Sequence, residues 1–178
     1  MKKIFYLLTM FSIFVVGCKK EENPIIPPSE TSVIFTTGNV KLSPAYFNFS
    51  SKDTNKTTYD VIFGTVAVPL QPGAPPAVFP AIKLNRAKNV KAIIIDGALF
   101  ESINTDTVTN LKADPSDTTF VIGDKCFSYD GATHKLNTYT NRTFIVQTAE
   151  GKNIKLRMLT YYNEQGASGY FKFEYVIK

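Results

Sequence analysis

The chain has 178 residues, 44% of them hydrophobic and 20% charged, with a formal net charge of +5. That balance is globular and excludes a disordered or collagen-like chain. No Trp, one His and two Cys exclude a multi-histidine or cysteine-rich metal site and a CxxC redox centre.

Met1-Lys2-Lys3 is a short positive segment, and residues 4–16 form an apolar run. The run is shorter than the about 20 residues of a transmembrane helix and reads as a secretory signal. It ends Val15-Val16-Gly17-Cys18: apolar residues, a small residue, then a cysteine, the pattern for lipid attachment in bacteria. Residues 1–17 are therefore expected to be a lipoprotein signal peptide, with Cys18 lipidated. The alternative is an ordinary signal peptide that happens to contain a cysteine. Acyl chains contribute about 0.8 kcal/mol per buried methylene, so several together hold a protein to a membrane. Residues 18–30 are polar and rich in Pro, which suits a tether and not a core. Lys20-Glu21-Glu22 just after the cysteine suits an outer-membrane lipoprotein displayed on the cell surface; a plain spacer on a periplasm-facing anchor is the blander reading.

With Cys18 acylated, Cys126 has no partner for an internal disulfide and is expected to be a small buried hydrophobe. Without Lys2 and Lys3 the chain keeps 18 basic residues against 15 acidic ones, scattered along its length. A nucleic-acid groove shows a basic stripe with interleaved aromatics, and nucleic acid is not an expected partner.

From residue 31 the pattern is β. Residues 33–35 and 46–50 suit strands, with Gly38-Asn39 a turn signal between them. Residues 59–68 predict a longer strand with Gly64 marking a bulge. Five prolines between Pro69 and Pro80 exclude a helix interior and a central strand, so 69–80 is expected to be a stiff loop. Its Leu70, Val78 and Phe79 are expected to staple it to the core, the alternative being that they line a cleft. Residues 90–95 predict a buried strand, 97–104 one helical turn, and 105–109 a return to β. Residues 118–122 and 125–129 predict a hairpin about Gly123-Asp124. The clearest signal follows: strands at 142–148, 154–161 and 170–177, joined by short turns, with period-two alternation over the last two. That predicts an antiparallel meander. The whole of 31–178 is expected to be a single, sandwich-like, all-β ligand-binding domain with minimal helix.

The sequence has no nucleophile elbow, phosphate-cradling glycine loop or HExxH motif, and an enzyme is not expected. Haem asks less of a chain: an apolar slot, one or two axial ligands from His, Met, Tyr or Cys, and cations for the propionates. His134 lies in a loop between strands, Met158 on the apolar face with Ile154 and Leu156, and Tyr129 at a strand end. Each has an ordinary structural reading beside the ligand reading: solvated loop, core and strand-end aromatic.

The stretches Asn141-Arg142-Thr143-Phe144-Ile145-Val146, Ala149-Glu150-Gly151-Lys152-Asn153-Ile154-Lys155-Leu156 and Gly169-Tyr170-Phe171-Lys172-Phe173-Glu174-Tyr175 resemble the HmuY family of haem-binding surface lipoproteins. Tyr46-Phe47-Asn48-Phe49-Ser50 and Tyr59-Asp60-Val61-Ile62-Phe63 extend the likeness, so that it covers most of residues 31–178. The resemblance implies an all-β fold, haem as ligand and handover to an outer-membrane TonB-dependent receptor. The best-known members clamp haem between two His. Here Phe127-Ser128-Tyr129 resembles an aromatic-Ser-His stretch, placing Tyr129 at that ligand position, with His134 five residues on. The second His has no counterpart, so the resemblance leaves Tyr129, His134 or Met158 to bind haem iron, or two chains to share one haem. A glycan- or protein-binding lipoprotein on the same scaffold is the alternative.

Overall fold

The computed structural model describes residues 31–178; the predicted signal peptide, Cys18 and tether lie outside them. Eleven strands form three antiparallel sheets. β1 (Val33–Thr36), β11 (Ser168–Ile177), β10 (Asn153–Tyr162), β9 (Arg142–Gln147) and β6 (Lys91–Asp96) make a five-stranded sheet in that order. β3 (Asp53–Thr54), β2 (Ala45–Asn48), β4 (Val61–Val68) and β5 (Ala77–Leu84) make a four-stranded sheet. β7 (Phe127–Asp130) and β8 (Lys135–Thr138) form a separate hairpin. The helical content among the described residues is three short 3-10 turns, in line with the all-β expectation, and among those residues no helix is long and apolar enough to cross a membrane.

The two larger sheets face each other across an aromatic interior. Alternation along β11 sends Phe171, Phe173 and Tyr175 inward, each fully buried, and leaves Lys172 exposed. From the opposite sheet, the Phe47 and Phe63 rings stand 5.3 and 4.6 Å from Phe173, and Phe63 stands 5.0 Å from Phe171. Such pairs add about 0.5–1.5 kcal/mol each beyond their burial. Cys126 is buried as expected; it donates its thiol hydrogen to the Gly123 carbonyl at 3.1 Å, and burial pushes the thiol's pKa far up.

The meander β9–β10–β11 matches the predicted one, except where β10 breaks phase. Its register with β11 shifts between Met158 and Thr160 and again between Thr160 and Tyr162. The irregularity turns Tyr161 into the core, 2% exposed, and leaves Thr160 half-buried, the reverse of strict alternation. No bulge occurs at Gly64. β4 pairs continuously with β5 from Val61↔Leu84 to Val68↔Ala77, and the side of Gly64 that lacks a Cβ lies against Pro44.

Three further expectations change. The stiff loop ends at Pro76, because 77–84 is β5; Pro80, which has no N–H to give, is accommodated there because β5 is the outer strand of its sheet. Residues 105–109 do not return to β: Thr105–Thr107 is the third of the 3-10 turns, capped by Asn104 accepting from the Asp106 N–H. The predicted hairpin about Gly123-Asp124 is absent. The buried Asp114 carboxylate takes the Leu84 and Val121 N–H groups, each at 2.8 Å, and Gly123 exchanges a bridge pair with Ile82. Val121 thus finds its partner in a side chain and Gly123 in β5, and the hairpin forms one step later, as β7–β8.

Candidate functional site

The irregular end of β10 decides where a cleft opens. With the phase broken at Thr160, Tyr161 and Tyr162 both reach the same end of the sandwich. Tyr161 packs 5.5 Å from Phe127 and 5.3 Å from Phe171. The Tyr162 hydroxyl accepts the Leu136 N–H at 2.8 Å and so ties the β7–β8 hairpin to the sheet. Bulges commonly re-aim side chains beside functional sites. The resulting cleft measures about 530 Å³, within the about 300–1,000 Å³ of small-molecule sites. Leu70, Val78, Phe79 and Pro80 form one wall, Leu136 and Tyr161 the other.

Leu70 and Val78 are 64% and 68% exposed. They do not staple the proline-rich loop to the core; they face the cleft, the alternative reading of those residues. β5 is an edge strand, and near the cleft it is met by the β7–β8 hairpin, where Phe79 stands edge-on to Tyr129 at 6.2 Å.

The hairpin turn carries the polar chemistry. The Asp130 carboxylate accepts from the Thr133 hydroxyl at 2.6 Å and from the Ala132 N–H at 2.9 Å. The Thr133 hydroxyl first, and the Ala132 N–H second, hold that carboxyl below the usual aspartate range. The pinned turn ends on His134 with φ +53°, a left-handed backbone that folds the imidazole back toward the strand it came from. Its Nδ1 lies 2.6 Å from the Tyr129 hydroxyl. Both residues line the cleft. At the rim, Lys41 donates to the Ser168 hydroxyl at 2.5 Å. Lys41 reaches it because Gly169, at φ +121°, leaves room for the Asn39 side chain where a Cβ would collide, and the Val40 N–H bonds the Gly169 carbonyl at 2.8 Å.

Of the three residues singled out in the sequence, Tyr129 and His134 therefore meet in the cleft. Met158 does not join them: it is 7% exposed and belongs to the buried core, opposite Phe173 in the ladder. Tyr161 and Tyr162 escaped the sequence reading, because strict alternation gives no sign of a phase slip. A second depression of about 560 Å³ is lined by Tyr59, Lys83, Arg86, Asp114, Asp117 and Phe120 among others and has neither imidazole nor thioether. Among the described residues no cluster of three or more His, Cys, Asp or Glu could hold a bare metal ion.

Comparison with known proteins starts from this geometry. The sequence model of the HmuY protein family matches residues 85–175, from the end of β5 through β11. The chain belongs to the HmuY family. No curated protein matches it by sequence. Among solved structures, it is similar to the apo HmuY analog of Tannerella forsythia, with 12% identity and a TM-score of 0.57 over 83% of this chain and 96% of that one. It is similar to a candidate HmuY-like haem-binding protein of Bacteroides vulgatus, with 10% identity and a TM-score of 0.55 over 84% and 93%. A candidate lipoprotein of Bacteroides fragilis follows at 12% identity and a TM-score of 0.53 over 85% and 93%. At such identities these likenesses establish the HmuY fold. They extend it to the N-terminal strands that the family model does not reach.

Proposed function

We propose that this HmuY-family chain is a binding protein and not an enzyme: a lipoprotein anchored through Cys18, which captures haem in the cleft beside β5 and passes it to an outer-membrane TonB-dependent receptor. The observation that carries the reading is the meeting of Tyr129 and His134, 2.6 Å apart, in an apolar cleft. Those are two of the residue types that ligate haem iron. The cleft suits the ligand on three counts. Its walls of Leu70, Val78, Phe79 and Leu136 offer a flat tetrapyrrole apolar and aromatic contact. Its phenol and imidazole offer iron a ligand. Lys41 at the rim offers a propionate a cation. Met158, held in the core, would need the sheet to open before it could serve. The lipid anchor rests on the Val15-Val16-Gly17-Cys18 pattern, and cell-surface display on the Lys20-Glu21-Glu22 stretch behind it.

Titration of the purified domain with haem tests the reading. Saturable binding with a shifted Soret band is expected, weakened by Tyr129→Phe and by His134→Ala. The absence of any saturable change, in ferric and in ferrous form alike, would sink it and leave the glycan- or protein-binding alternative. Metabolic labelling with a fatty acid tests the anchor: label is expected on the natural chain and lost from Cys18→Ala.

A further inference from the structure

Two ligand atoms on opposite faces of one iron are each about 2 Å from the metal, and so stand about 4 Å apart. The Tyr129 oxygen and His134 Nδ1 are 2.6 Å apart. At that separation they are joined to each other and cannot clamp one iron between them. One of the pair is the ligand, and the other serves it.

The chemistry decides which. A phenol is a poor anion at neutral pH and becomes a strong ligand only when something takes its proton. An imidazole Nδ1 at hydrogen-bond distance is such an acceptor, with the neutral ring carrying its own hydrogen on Nε2. The other cleft phenols lack this partner. Burial, with the neighbouring Tyr162 contributing second, pushes Tyr161 up to about 12, so it stays protonated. The Tyr162 oxygen is engaged by the Leu136 N–H. Tyr129 is also the more open of the candidates, at 52% exposed, with Phe79 edge-on at 6.2 Å to fix its ring. Asp130, the nearest carboxylate along the chain, is occupied by its own turn.

We infer that Tyr129 binds ferric haem iron as a phenolate, that His134 makes no bond to iron but holds the displaced proton at Nδ1, and that the site in consequence selects ferric over ferrous haem. This rests on the haem-binding reading and sharpens it. The step balances without a change of oxidation state: the phenolic proton moves to Nδ1, the iron–phenolate bond forms, and a water leaves the iron. An anionic oxygen ligand favours the more highly charged iron, and axial-ligand identity is a main lever on haem potential. By linkage, tighter ferric binding lowers the potential of the bound couple. His134 acts here as a positioning residue that lets Tyr129 ionise.

The test uses ferric haem, and dithionite-reduced haem under nitrogen, with the purified protein. The natural protein with ferric haem is expected to show a phenolate-to-iron charge-transfer band and phenolate vibrations in resonance Raman spectra, and to bind ferrous haem more weakly. Tyr129→Phe should abolish both signatures. His134→Ala should keep them while lowering ferric affinity about 10–100-fold, as loss of a group that supports a ligand typically does. An imidazole-type spectrum that survives Tyr129→Phe would overturn the assignment while leaving haem binding intact, and so would equal affinity for the two oxidation states. No saturable change at all would overturn the haem reading and the assignment together. Both side chains lie outside the buried core, so far-ultraviolet circular dichroism and the thermal unfolding midpoint of the variants should match the natural protein.

Discussion

The interior between the two large sheets and the cleft beside β5 are both walled by aromatic and aliphatic side chains, yet they are held in different ways. In the interior every ring is over-determined: Phe173 touches Phe35, Phe47, Phe63 and Tyr175. In the cleft Leu70 and Val78 are mostly bare, and the phenol–imidazole pair hangs on one turn pinned by Asp130. The difference separates what the chain needs in order to fold from what it keeps available for a ligand. Groups that contribute least to stability face the open space.

Truncation inside the sandwich is the strongest way to sharpen that contrast. Phe173→Ala leaves a cavity against four rings and is expected to destabilise the domain by about 3–5 kcal/mol, read from the denaturant midpoint; a loss under 1 kcal/mol would show that the sheets are not packed as described. Asp114→Ala comes next. It strands the buried Leu84 and Val121 N–H groups, at about 1–3 kcal/mol for each orphaned donor, offset by relief of burying a charge. A net loss of about 2 kcal/mol is expected, with haem affinity unchanged because Asp114 faces the other depression. A fall in affinity without a fall in stability would join the two depressions into one site and break the comparison.

The two regions also differ in how far the sequence discloses them. The sandwich is legible because burial writes itself as period two: Phe171, Phe173 and Tyr175 against Tyr170, Lys172 and Glu174 need no partner to be recognised. Tyr129 and His134 were identifiable by residue type and by family likeness, but their pairing was not, since it depends on a left-handed His134 and on a turn held by Asp130. The phase slip at Thr160 carries no local signature. Neither does the capture of the Val121 N–H by Asp114, which is why Gly123-Asp124 reads as a hairpin turn. Exposure of Leu70, in the proline-rich loop, and of Val78, on the edge strand β5, is a tertiary fact that the prolines hint at without fixing which way the side chains point.

Acid titration tests the interior from another side. Asp60 Oδ2 accepts the Phe49 N–H at 2.9 Å, while its buried Oδ1 has no partner. Burial raises its pKa above the ordinary aspartate value, and the Phe49 hydrogen bond only partly offsets this. The folded state therefore takes up its proton at higher pH than the unfolded chain. The resulting stabilisation is complete below the unfolded value of about 3.9 and is lost as pH rises through the folded one. Against Asp60→Asn, which cannot titrate, the natural protein should gain stability as pH falls toward that value. A difference that is flat or slopes the other way would mean that Asp60 is better solvated than its place in the interior implies.

The smallest effect on stability is expected where the comparison places most of the function. Leu70→Ser and Val78→Ser remove side chains that are already 64% and 68% exposed, so each should move the unfolding free energy by no more than about 0.5 kcal/mol. A ligand lying against that wall would cover them. Burying a whole Leu or Val side chain is worth about 1.5–3 kcal/mol, and partial cover by a flat ligand about 1 kcal/mol, close to a fivefold loss of haem affinity for either variant. Titration and thermal unfolding on the same samples separate the two quantities. If both variants melt like the natural protein and bind haem as tightly, the ligand does not lie between β5 and the β7–β8 hairpin, and the exposed wall has some other partner.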